Sequence, residues 1–183
     1  MKEFYSDKKV AYISKAGLIA ALYAAITMIF APLSFGAVQF RISEAMTVLP
    51  FFIPEAVPGL FIGCIISNLL SSNNVMLDVI FGSLATLLAA LCTYKIKIKW
   101  FAPLPPVIFN AVIIGIVITV SSVEKSGFTA AFIANMLSVG AGELVVAYGL
   151  GIPLLIAFER IGNYRKKAQN NRRWKNDCYK LKT

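Results

Sequence analysis

The chain contains no histidine, and it is poor in acid: nine Asp and Glu stand against eighteen Lys and Arg in 183 residues. Without an imidazole there is no His-ligated zinc and no His-based catalytic triad. Three cysteines, Cys64, Cys92 and Cys178, make an odd set with no metal-ligand spacing. Cys64 and Cys92 lie in apolar stretches and read as small hydrophobes; Cys178 reads as a reduced cytoplasmic thiol. No P-loop or Gly-rich nucleotide motif is present, so the chain is not expected to hydrolyse ATP itself. Internal repeats are also lacking, which lowers the case for an inverted-repeat carrier. Neither a metal nor a cofactor is expected, and no nucleophile–base pair supports an enzyme.

What is abundant is apolar surface. Hydrophobic residues make up 58% of the chain and the mean hydropathy is +0.72, too apolar for a soluble domain of this length. The formal net charge of +9 does not point to nucleic acid, because the cations sit in connections and tails that flank apolar stretches. Their expected role is to fix orientation and meet anionic lipid head groups. The first apolar stretch lacks a persuasive small-residue cleavage site and reads as a retained helix.

The hydropathy pattern predicts an all-α integral membrane protein with six transmembrane helices in a compact bundle. The expected spans are 16–32, 43–52, 57–70, 78–94, 104–120 and 129–158. Residues 1–15 form a cytoplasmic N-terminal segment in this reading, 16–158 the six-helix domain, and 159–183 a basic cytoplasmic tail. Alternate connections carry the cations: Lys2, Lys8, Lys9 and Lys15, then Lys95, Lys97 and Lys99, then the tail from Arg160. The opposite side holds only Arg41 and Lys125. This asymmetry predicts cytoplasmic N- and C-termini. The second span is too short to cross upright, so an irregular backbone shielded by protein is expected there. The last is too long unless it tilts or kinks near Gly149, Gly151 and Pro153.

Polar residues inside such spans are costly; an ionised group at mid-helix costs about 2.5 to 3.5 kcal/mol on insertion scales. Glu143 lies deep in the last span, roughly 22 Å from its cytoplasmic end. It reads as a ligand contact in preference to an interhelical tie. Asn135, eight residues earlier, fits either role. Arg41 and Glu44 lie three apart in QFRISEA. They make either a local ion pair at a helix start, with Ser43 as a further cap, or a polar lid over an outward pocket to which Gln39 and Phe40 contribute. Asp78 opens the fourth span, as an N-cap or as a pocket acid. Asn68 and Asn110 add amides from two further spans. One polar group on each of several helices is the arrangement a small-ligand pocket needs. Carboxylates and amides suit a substrate rich in N–H donors. On the first helix Ala16, Ala20 and Ala24 repeat every four residues, beside Gly17, Ala21 and Ala25. Such a strip permits close approach of another helix, from this chain or a different one.

Several long segments occur in an order that resembles the queuosine-precursor transporter family, QueT. They are AALYAAITMIFAPLSFGAVQFRISEAMTVLPFF, PGLFIGCIISNLL, LDVIFGSLATLLAAL, APLPPVIFNAVIIG and GELVVAYGLGIPLL. The resemblance covers about residues 16 to 156 and not the basic tail. It implies a substrate-binding S component of an energy-coupling factor (ECF) importer in a bacterial plasma membrane. Its partners would be a transmembrane coupling subunit and two cytoplasmic ATPase subunits. It implies docking of the coupling subunit on Ala16, Ala20 and Ala24, with Ala21 and Ala25 as an alternative register. The implied substrate is 7-cyano- or 7-aminomethyl-7-deazaguanine, or queuine. In that frame Glu143 is the leading contact for the guanine-like edge and Glu44 the second. Asp78 or Glu44 would meet a cationic arm, and Asn68, Asn110 and Asn135 the carbonyl and ring nitrogens. Phe40 or Tyr148 would stack on the ring. Alternatives are a stand-alone ion-coupled carrier and an S component for another vitamin.

Overall fold

A computed structural model describes residues 2–34, 40–71, 76–122 and 127–162. Among them every regular element is helical. Helix α1 spans Lys2–Ile29 and is followed by the single turn α2, Ala31–Ser34. A 3-10 helix, Ile42–Phe51, leads to α3, Ala56–Leu70. A π turn, Asp78–Gly82, runs into α4, Ser83–Lys95. After a short 3-10 turn, Lys99–Phe101, come α5, Leu104–Ser122, and α6, Phe128–Gly149. Gln39, Asn73 and Asn74 lie outside the described residues, as does the tail 163–183.

All six expected apolar segments are helical, yet they are not equivalent. Four are long and apolar enough to cross a membrane: Lys9–Ile29, Asp78–Lys95, Lys99–Ser121 and Phe128–Gly162. The shorter two are Ile42–Phe51 and Ala56–Leu70. The 3-10 form partly compensates, since ten residues at about 2.0 Å each reach about 20 Å, against about 15 Å for an α-helix. So long a 3-10 run is uncommon. It persists here because all eight residues from Ser43 to Pro50 are buried by neighbouring helices. Its threefold period also stacks Arg41, Glu44 and Thr47 on one face. The first helix differs from expectation in starting at Lys2, well before the apolar run.

Helices α1 and α3 meet along a strip of small residues. A Cβ added at Gly59 would lie 2.7 Å from the Ala16 carbonyl oxygen, and one at Gly63 2.8 Å from that of Ala20. Glycine at these positions lets the two backbones touch. Tyr23, Leu60 and Cys64 fill the adjoining core with Met46 and Leu49 of the 3-10 helix. Helix α5 approaches α6 in the same way, where a Gly115 Cβ would meet the Met136 backbone at 3.1 Å. The last helical segment is broken at Leu150 and resumes over 151–162. The break sits where Gly149, Gly151 and Pro153 cluster, and Pro153 has no N–H to continue the ladder. Gly151 is also a close-approach point, its Cβ position only 2.9 Å from Val48 Cγ1.

Opposite ends of the bundle carry different chemistry. At one end Lys15 pairs with Glu55 at 2.8 Å and Lys99 with Glu159 at 3.1 Å. The helix directions place Lys95 and Arg160 at this end too. The polar residues described next lie away from it.

Candidate functional site

The 3-10 helix delivers Arg41 and Glu44 into the bundle, where they are 7% and 0% exposed. Spaced by three residues, they nevertheless serve different neighbours. The Arg41 guanidinium donates from Nη2 to Asn68 Oδ1 at 3.1 Å and from Nη1 to Cys64 Sγ at 3.7 Å, both on α3. Glu44 Oε1 accepts a short hydrogen bond from the Tyr23 hydroxyl of α1 and another from Thr86 Oγ1 of α4 at 3.0 Å. Four elements thus converge on this pair. Ser43 does not cap the 3-10 helix; its hydroxyl shares a 2.7 Å hydrogen bond with Thr27 of α1.

Asn68 links this pair to the start of α4. Its amide donates to the Asp78 carbonyl at 2.9 Å while its own oxygen receives Arg41. Asp78 is not an N-cap: the backbone is already helical at Met76 and Leu77, and no side-chain cap is formed. It opens a π turn instead, a distortion that frees a carbonyl for Asn68. Asp78 is half-buried and lies in the field of Arg41. Gly82 closes the turn, and a Cβ there would stand 3.0 Å from Asn68 Nδ2 and 4.0 Å from Arg41 Nη1. A side chain at this position would press directly on the polar cluster.

Glu143 approaches from α6 and is 4% exposed. Asn110 of α5 donates to its Oε1 at 3.1 Å. Glu143 lies in the electrostatic field of both Glu44 and Arg41. Arg41, Glu44, Asn68, the half-buried Asp78, Asn110 and Glu143 thus make one polar network from five elements, in which the Asn110–Glu143 pair is coupled to the others through charge. Two buried carboxylate oxygens in it, Glu44 Oε2 and Glu143 Oε2, have no hydrogen-bond partner among the described residues. Ser34 Oγ and Ser83 Oγ share that condition, but an unmet carboxylate oxygen is far costlier than an unmet hydroxyl.

Other expected residues fall differently. Asn135 donates to Thr119 Oγ1 at 3.0 Å and ties α6 to α5. Tyr148 is half-buried and sits about 140° around the helix from Glu143. Phe40 is half-buried just before Arg41, and Gln39 lies outside the described residues. Ala16, Ala20 and Ala24 are buried, and α3 covers the face formed by Ala16 and Ala20. That register is spent within the chain, whereas Gly17, Ala21 and Ala25 are exposed. Tyr23, Thr86 and Cys64 were not anticipated. Hydroxyls and thiols are ordinary in apolar helices, and only the fold shows that these three meet a charged group. Two grooves, about 400 and 410 Å³, lie outside this network; apolar side chains line both, with Lys15 at the edge of the first.

Chemically the network is an acceptor-rich centre balanced by one guanidinium. It offers carboxylate oxygens held in place by neutral donors, which suits a ligand presenting several N–H groups.

Comparison with known proteins agrees with this picture. The model of the family described as QueT transporter matches residues 13–160. A protein of Lactococcus lactis subsp. cremoris (strain MG1363), named Queuosine precursor transporter QueT, is 43% identical over 72 residues. The match covers 38% of this chain and 41% of that relative, so the chain aligns with about two-fifths of the relative's length. No solved structure matches the chain. With most of its length inside the family model and four helices of membrane-crossing length, the chain is a multi-pass protein of the cell membrane and belongs to the QueT transporter family.

Proposed function

We propose that the protein is the substrate-binding S component of an ECF-type importer and that it binds a 7-deazaguanine precursor of queuosine. The single observation that carries this reading is the pair of buried carboxylates, Glu44 and Glu143. Each is clamped through one oxygen and leaves the other without a partner among the described residues. A guanine-like edge presents a ring N–H beside an exocyclic amine and fits a carboxylate in a two-point contact. The name carried by the Lactococcus relative supports the ligand class.

In this reading the chain crosses the membrane six times, and both termini are cytoplasmic. The placement of Lys15, Lys95, Lys99 and Arg160 at the end away from Arg41 supports that orientation. ATP is hydrolysed by two partner ATPases, reached through a transmembrane coupling subunit. The exposed strip Gly17–Ala21–Ala25 is the face of α1 left for that subunit, since the other register is covered.

Native mass spectrometry of the purified protein, offered deazaguanines, queuine, thiamin, riboflavin and folate, tests the ligand. Selective retention of a deazaguanine or queuine is expected. Retention of a vitamin in its place would overturn the substrate and leave the architecture standing.

A further inference from the structure

We propose that Glu143 and Glu44 read different parts of the ligand, and that Glu44 selects an amine-bearing, cationic precursor over the neutral nitrile. This inference rests on the deazaguanine reading above and adds to it which member of the class is preferred.

The assignment follows from counting acceptor sites. An ionised carboxylate offers about four lone-pair positions, two on each oxygen. On Glu44, Oε1 takes both the Tyr23 and the Thr86 hydroxyls. The single Thr86 proton has other acceptors in reach, the Gly82 carbonyl at 3.2 Å and Cys64 Sγ at 3.4 Å. The carboxylate is nearer at 3.0 Å and carries the charge, so it is the preferred acceptor. Glu44 Oε1 is then full, and the side chain presents one open oxygen, Oε2. Glu143 differs. Its Oε1 receives only Asn110 among the described residues, and its Oε2 receives nothing. Both of its oxygens retain capacity. Glu143 therefore suits a two-point contact with a planar donor edge, and Glu44 a one-point contact with an ammonium group.

Charge balance points the same way. Arg41 is the cation acting on both Glu143 and Asp78 among the described residues, and it lies in the field of Glu44 as well. With Glu44 ionised, its open oxygen Oε2 carries charge that Tyr23 and Thr86 do not meet, since both bond to Oε1. Inside a membrane such unmet charge is costly, and a monocationic ligand removes part of it. A nitrile brings neither a positive charge nor a donor, and it would leave Glu44 Oε2 unmet.

The test is calorimetric titration of the full-length protein in detergent with 7-aminomethyl- and 7-cyano-7-deazaguanine. The native protein is expected to bind the amine about tenfold or more tightly than the nitrile, the range of a charge-assisted hydrogen bond. Glu44→Gln is expected to bring the two affinities within about threefold of each other. Glu143→Gln is expected to weaken both and keep their ratio. Equal affinities in the native protein would overturn the proposal without any variant, so poor folding of Glu44→Gln cannot shelter it. So would loss of the preference in Asp78→Asn with its retention in Glu44→Gln. Binding of neither compound by the native protein would overturn the deazaguanine reading itself.

Discussion

Tyr23 shows how much of the site depends on residues that carry no charge. Its hydroxyl, 0% exposed, holds Glu44 from α1, while Thr86 holds the same oxygen from α4. Tyr23→Phe removes one hydrogen bond to a charged group and leaves the ring packing intact. A loss of about 1.5 to 3 kcal/mol in stability is expected, read as a lower unfolding temperature in detergent. Ligand affinity should fall with it, because Glu44 loses its fixed position. An unchanged melting curve would show that Glu44 is positioned without Tyr23. Three of the four charged residues of the network, Arg41, Glu44 and Glu143, were legible in the sequence because they interrupt apolar runs where ionised groups are costly; the fourth, Asp78, read equally well as an N-cap. Asn68 and Asn110 were legible for a weaker version of the same reason. Tyr23, Thr86 and Cys64 were not, because hydroxyls and thiols in apolar helices usually bond to their own backbone or pack as small side chains.

At the scale of elements, the α1–α3 contact depends on missing side chains. A Gly63→Ala methyl would lie 2.8 Å from the Ala20 carbonyl oxygen and 2.9 Å from Tyr23 Cβ. The helices must part to admit it, at a cost of about 1 to 3 kcal/mol. Gly17 sits one face over with nothing within 4 Å. Gly17→Ala should be neutral, or stabilise α1 by about 0.5 to 1 kcal/mol. Thermal unfolding of the two variants side by side checks both signs.

At the basic end the Lys15 ammonium, hydrogen-bonded to Glu55, holds that carboxyl below its usual range. Because the folded-state pKa is depressed, the stabilisation is present at neutral pH. It is lost as pH falls past the ordinary carboxylate value and through the lowered one. Lys15 is largely exposed, so the effect is no more than about 1 kcal/mol. Lys15→Met should therefore flatten the acid limb of the stability curve only slightly.

The break at Leu150 could be foreseen from Gly149, Gly151 and Pro153, whose backbone effects are local. The 3-10 form of Ile42–Phe51 and the π turn at Asp78–Gly82 could not be. Both depend on neighbours: one on the helices that bury Ser43–Pro50, the other on an Asn68 amide that donates to the Asp78 carbonyl ten residues away.

The whole molecule has a polar network drawn from five elements and a basic end away from it. Apolarity and the alternation of cations made a membrane bundle legible from composition alone. Glu44 and Glu143 were expected in one pocket although they lie 99 positions apart; what the sequence did not reveal is how α4 and α6 pack on the 3-10 helix to bring them into it. At this scale the account predicts a protein that binds but does not drive transport. Uptake of a labelled deazaguanine by cells that express the chain without the coupling ATPases should stay at background. Uptake that persists there and collapses with the proton gradient would instead identify a stand-alone ion-coupled carrier. The most direct measurement is equilibrium binding of a deazaguanine to the native protein and to Glu143→Gln, with folding checked by circular dichroism. The account predicts saturable binding to the native protein and a loss of about tenfold or more in the variant. Equal affinity in a folded Glu143→Gln would contradict it.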